Sequence, residues 1–171
     1  MRDTLVLTVI GADRTGLVEA LANRVAAAGG NWEASHMARL AGQFAGILLV
    51  SVEQARTDEL VASLRALDAG GLHVVARPTE PAAAPAGTRM QMTLTGNDRP
   101  GIVRDVARLL TERGVNIEEL ESEVQSAPMS GDALFVARAV LQIPAHLTLA
   151  ELRRALEALA GELMVDLASA A

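Results

Sequence analysis

One pattern in this chain occurs twice at a fixed interval, and it constrains the fold more than any other feature. Gly11-Ala12-Asp13-Arg14-Thr15-Gly16-Leu17-Val18 matches Gly96-Asn97-Asp98-Arg99-Pro100-Gly101-Ile102-Val103, and Gly29-Gly30-Asn31 matches Gly114-Val115-Asn116. The register holds without a gap from Thr8/Thr93 to Glu33/Glu118, with Ala22 opposite Ala107. Such a match implies an internal duplication, so the 171 residues divide into two small domains and not one. We expect residues 1–77 and 88–171 as the domains and 78–87 as a linker, where three prolines favour an extended spacer. Units this small bury only a modest core alone, so packing against another domain or copy is expected to add stability.

Each unit predicts the same order of elements. Leu5–Ile10 is apolar at every position but Thr8, which suits a central strand buried on both faces. Leu17, Val18, Leu21, Ala22 and Val25 recur at helical spacing and stop at Gly29-Gly30. Strands are expected at Asn31–Leu40 and Ala45–Val52, joined at Ala41-Gly42-Gln43. A second helix, with Thr57 as its cap, carries Leu60, Val61, Leu64 and Leu67 inward and ends at Gly70-Gly71, before a last strand at Leu72–Arg77. The second unit repeats this, with strands at Arg89–Thr95, from Asn116, at Ala133–Ile143 and at Leu163–Leu167. Its helices run from Pro100, suited to a first helical turn, and from Leu149, and its hairpin tip Ser126–Asp132 is longer. Two βαβ crossovers joined through a hairpin give a ferredoxin-like βαββαβ sandwich of the α+β class, four antiparallel strands backed by two helices. Val6, Thr8 and Ile10 make the free face of the first sheet mostly apolar, whereas Gln91, Thr93 and Thr95 make that of the second polar. The first is expected to meet another surface.

Composition narrows the function. Cysteine is absent, which removes disulfides, thiol catalysis and zinc–thiolate sites together. A net charge of −6 repels phosphate backbones and argues against direct nucleic-acid binding. No apolar run approaches the roughly 18 residues of a membrane span, and Met1-Arg2-Asp3-Thr4 leads straight into strand residues, so a cytoplasmic location without membrane contact is expected. Gly96 and Gly101 have the glycine spacing of a phosphate loop, but Ile102-Val103 stand where Lys and Ser/Thr are required. His36, His73 and His146 lack ligand spacing, and the glutamates at 118, 119, 121 and 123 alternate between faces as on a charged edge strand. Trp32 and Phe135 read as core or interface anchors. No catalytic constellation, metal site or cofactor is expected.

The twofold occurrence, the βαββαβ order and Asp98-Arg99-Pro100-Gly101 followed by Gly114-Val115-Asn116-Ile117 resemble the ACT domain. That is a ferredoxin-like regulatory module which in many proteins binds an amino acid. The tandem arrangement, the length and the tip Ser126-Ala127-Pro128-Met129-Ser130-Gly131 resemble the glycine cleavage system transcriptional repressor family. The first unit departs from the pattern, with Thr15 in place of Pro and Gly30-Asn31-Trp32 in place of Val-Asn-Ile. The resemblance implies a ligand held where the loop of one domain faces a strand of its neighbour. The candidate ligand-binding residues are Asp13, Arg14, Gly16 and Asn31 in the first unit and Asp98, Arg99, Gly101 and Asn116 in the second.

The chemistry of these residues suits a small zwitterion. Amides at a helix N-terminus accept a carboxylate, glycine leaves room for it, aspartate holds an ammonium, and an asparagine amide serves either pole. Turn geometry, capping and close helix–sheet packing explain the same residues without a ligand. Glycine or serine is the expected ligand; for five-atom glycine the ceiling is roughly −7.5 kcal/mol, a few micromolar. The expected protein is non-enzymatic and homo-oligomeric, regulating glycine cleavage genes through a protein partner. A ligand-free scaffold and a regulatory subunit of an enzyme are the alternatives.

Overall fold

A computed structural model describes residues 1–80, 86–126, 132–159 and 163–169. The chain splits into Met1–Ala82 and Ala83–Ala171. The first unit runs β1 (Arg2–Ala12), α1 (Leu17–Ala27), β2 (Asn31–Leu40), β3 (Gln43–Glu53), α2 (Thr57–Arg65) and β4 (Leu72–Thr79). The second runs β5 (Thr88–Asn97), α3 (Ile102–Glu112), β6 (Asn116–Ser126), β7 (Ala133–Ile143), α4 (Leu149–Leu159) and β8 (Met164–Ser169). The sheets are four-stranded and antiparallel, ordered β2-β3-β1-β4 and β6-β7-β5-β8. Each unit is an α+β, ferredoxin-like domain. Most of the expected hairpin tip, residues 127–131, and the middle of the expected linker, residues 81–85, lie outside the described residues.

Each core belongs to one unit. Strand alternation sends Leu5, Leu7 and Val9 of β1 to the helical face, where they meet Leu17, Leu21 and Val25 of α1 and Leu60 and Leu64 of α2. In the second unit Met90, Met92 and Leu94 meet Ile102, Val106, Leu109 and Leu110 of α3 and Leu152 and Leu156 of α4. Phe135 is buried in the second core and Trp32 packs, half-buried, against the first. The charged strand β6 lies at a sheet edge, where its side chains blunt pairing with other chains.

Four expectations change. β1 is central but not buried on both faces: Thr8 is exposed and Ile10 is 49% exposed on the side away from the helices. Pro78 does not begin an unstructured spacer, because β4 continues through it, with Pro78 opposite Leu5; β4 is an edge strand, where a missing N–H breaks no ladder bond. Thr57 does not cap α2; it is the first helical residue and its hydroxyl donates to Asp3 Oδ2 at 2.7 Å. The α2 segment also tightens into a 3₁₀ turn, Ala66–Gly70, before Gly71 at φ 79°. By contrast, α4 has a capping box: Thr148 N donates to Glu151 Oε2 at 3.0 Å, and Glu151 N to Thr148 Oγ1 at 3.3 Å.

The β2–β3 hairpin turns through Ala41 and Gly42, with φ of 48° and 78°. Two positive values in a two-residue loop are the type I′ pattern, which favours Asn-Gly, and an alanine there carries a left-handed cost of about 1–2 kcal/mol. Ala41→Asn is therefore expected to stabilise the first unit by up to about 1 kcal/mol, read as a rise of roughly 4–8 °C in its melting transition.

Candidate functional site

The twice-used loop is a tight turn that aims a helix N-terminus. In the second unit Ile102 N donates to Arg99 O at 3.3 Å across Pro100 and Gly101, and Gly101 lies at φ 84°, ψ 5°. Proline followed by a left-handed glycine is the type II pattern. Pro100 thus stands in the turn before α3 and not in its first helical turn, because the left-handed Gly101 intervenes. Gly16 repeats the shape at φ 92°, ψ 0°, although Thr15 replaces the proline. Close packing does not explain these glycines. A Cβ on Gly16 would meet nothing within 4 Å, and the atoms nearest one on Gly101 belong to the Arg104 guanidinium and not to backbone. Backbone conformation explains them, and at Gly16 the turn leaves the space beside it open. Neither α1 nor α3 has a side-chain hydrogen bond capping its N-terminus, so Asp13 and Asp98 are not caps.

The eight candidate residues do not converge within a unit. Asp13 follows β1 at one end of the sheet, its N–H bonded to Gly42 O at 2.9 Å and its carboxylate 3.5 Å from Arg39. Asn31 opens β2 at the other end, paired through Ser51 with Thr4. Nine residues of strand, about 30 Å, separate the two levels. Asn116 is likewise level with Arg89, far from Asp98, whose N–H bonds Ala133 O at 2.8 Å. A ligand touching both loop and amide therefore requires two domains. Asn31 also has a local role: its amide donates to Glu33 Oε1 at 2.9 Å, which accepts from Ser51 Oγ at 2.6 Å. Those hydrogen bonds, from Ser51 first and Asn31 next, lower the Glu33 pKa below the ordinary carboxylate value.

Two features were not foreseen from the sequence. The strands β2 and β6 shift register at equivalent places, between Trp32/Ala34 and between Ile117/Glu119, which puts Glu33 and Glu118 at matching bulges. The repeated glutamate at the end of the matched register was the available signal. The second is a clamp at the loop of the second unit. Arg99 Nη1 donates to Asp105 Oδ2 at 2.8 Å, while Arg104 holds Oδ1 through Nε and Nη2 at 3.1 and 3.0 Å. Arg99, then Arg104, lower the Asp105 pKa, and the carboxylate also lies in the first turns of α3, where the helix dipole favours it. The first unit has Ala20 at that position, and Arg14 turns to the 3₁₀ segment, donating to Gly70 O at 2.6 Å.

The signs fix a pH dependence. Asp105 has a folded-state pKa below its unfolded one, so its contribution is complete above the ordinary carboxylate range and is lost as pH falls through that range. Asp105→Asn should lower the melting temperature at pH 7, with the gap to wild type closing below about pH 4 in a pH-resolved thermal melt.

Among the described residues no helix is long and apolar enough to cross a membrane, and no group of three or more His, Cys, Asp or Glu could hold a metal ion.

Comparison with known proteins places this geometry in a family. The ACT domain family matches residues 3–75 and again residues 92–159. The glycine cleavage system transcriptional repressor of Escherichia coli (strain K12) is 30% identical over 166 residues, spanning 93% of this chain and 85% of the repressor, and that of Shigella flexneri matches equally. A crystal structure of an unknown protein from Galdieria sulphuraria superposes with a TM-score of 0.87 at 29% identity, covering 100% of both chains. A crystal structure named for a glycine cleavage system transcriptional repressor superposes with a TM-score of 0.75 at 18% identity over 99% of each chain, a likeness of fold alone. With one ACT domain in each half and that relative matched through both, the chain belongs to the ACT domain family, as a tandem regulatory protein related to the glycine cleavage system transcriptional repressor.

Proposed function

We propose that this protein is a non-enzymatic, cytoplasmic sensor of a small amino acid, glycine or serine, that regulates transcription of glycine cleavage genes through a protein partner. The observation that carries the reading is the 30% identity to the Escherichia coli repressor, which runs through both domains and so includes both loops. The geometry supports it: two turns precede helices with no side-chain cap, each offering N–H groups and a positive dipole end to a carboxylate. Asp13 and Asp98 lie beside those turns for an ammonium, and Asn31 and Asn116 belong to a neighbouring domain's share of the site. Since loop and amide stand at opposite sheet ends, binding joins domains, which accords with a homo-oligomer. The charge of −6 leaves DNA contact to the partner.

A thermal-shift panel of the twenty amino acids on the full chain tests this. A ligand at a hundredfold excess over its Kd stabilises by about 2.7 kcal/mol, a shift of several degrees. We expect glycine or serine to give it, and Asp98→Ala and Asn116→Ala to reduce the shift more than they lower the ligand-free melting point. Silence across the panel would leave a ligand-free scaffold, a reading that the half-exposed apolar face around Ile10, Ile47 and Val75 favours.

A further inference from the structure

The duplication allows each unit to be compared with its sister position by position, and one difference concentrates at a cavity. Between α1 and the 3₁₀ turn of the first unit lies an open cavity of about 270 Å³, whose lining includes Arg14, Gly16, Ala20, Arg24, Leu67 and Leu72. In the second unit the counterpart of Arg14 is Arg99, whose guanidinium holds the carboxylate of Asp105. The counterpart of Asp105 is Ala20, which lines the cavity. One turn further along the helix, Leu109 is buried in the second core, whereas its counterpart Arg24 lines the cavity. The first unit therefore has no counterpart of the Asp105 carboxylate, has Glu19 where the second has Arg104, and carries Arg24 a turn further along the helix. Neither Arg14 nor Arg24 forms an ion pair among the described residues; Arg14 only donates to the Gly70 carbonyl.

We propose that this cavity binds a small carboxylate ligand, whose carboxylate group takes between Arg14 and Arg24 the place that the chain's own Asp105 fills beside Arg99. The site is asymmetric within the chain, because the second unit's arginine is already occupied. Guanidinium groups pair strongly with carboxylates through charge-assisted bonds, and Leu67 and Leu72 suit a short aliphatic body. The volume admits an amino acid or a short carboxylic acid. This rests on the sensor reading only in sharing Arg14 and Gly16; it places the ligand within one domain, on the side of the turn toward the 3₁₀ segment.

Calorimetric titration of the full chain with propionate, alanine, glycine and inorganic phosphate tests it. Propionate or alanine is expected to bind wild type, with A20D and R24L each weakening it tenfold or more, since these put the second unit's residues into the first. D105A frees Arg99 and is expected to add a second, weaker site while the affinity of the first stays as in wild type. R24L alters an exposed side chain and keeps the test valid should A20D fold poorly. Glycine binding that A20D and R24L leave intact, with no propionate or alanine binding, would overturn this proposal while sparing the sensor reading. Propionate binding that A20D abolishes, with no amino acid bound, would uphold the cavity and count against the sensor. Phosphate binding as tightly as propionate would overturn the carboxylate assignment.

Discussion

Leu110→Ala is expected to unfold the second domain well below the temperature at which the first melts. Leu110 is fully buried, and its cluster consists of second-unit residues alone. Truncating such a leucine costs about 2–5 kcal/mol through lost transfer energy and the cavity left behind. A domain of this size has roughly 4–12 kcal/mol in total, so the change removes a large share, worth ~10 °C or more. Leu21→Ala, equally buried in the first core, is the mirror experiment. Scanning calorimetry should show each variant lowering a different part of the endotherm. A common shift of one undivided transition in both variants would contradict separate cores.

The next largest effect concerns the turns. Gly101→Ala and Gly16→Ala should each cost about 1–2 kcal/mol, because φ of 84° and 92° place an L-residue in the left-handed region. The comparison with Gly11 is informative. There an added Cβ would lie 2.5 Å from Gly71 O, so Gly11→Ala acts by collision, whereas at Gly16 it would point into empty space. Denaturant titration should therefore give similar losses for the two turn glycines. A neutral Gly16→Ala would show that the turn is not held in that conformation.

The duplication made most of the fold legible, because one constant register carried strand, turn, helix and strand into both halves together. What escaped was set by tertiary surroundings. Thr57 has the chemistry of a cap, yet its hydroxyl is drawn to Asp3, 54 residues away. Pro78 reads as a strand breaker, but the edge of a sheet tolerates it. The alternating Val6, Thr8 and Ile10 could not reveal that Thr8 and Ile10 are exposed. Within the site, the turn glycines were readable from the strand–glycine–helix pattern, though the reason is dihedral and not close packing. Which acid Arg99 holds was not readable: Asp105 sits among charged residues of a helix, where it resembles any solvated acid, and Arg99 precedes the helix. Nor does sequence proximity reveal that Asn31 lies a full strand length from Asp13.

If the two turns ahead of α1 and α3 receive a small amino acid, that ligand must perturb the backbone amides of those turns. Backbone amide spectra of the full chain, titrated with glycine and with serine to about 10 mM, test it most directly. We expect saturable shifts centred on residues 15–18 or 101–103, with smaller changes at Asn31 or Asn116. Saturable shifts confined to other residues, or spectra unmoved by either amino acid, would contradict it.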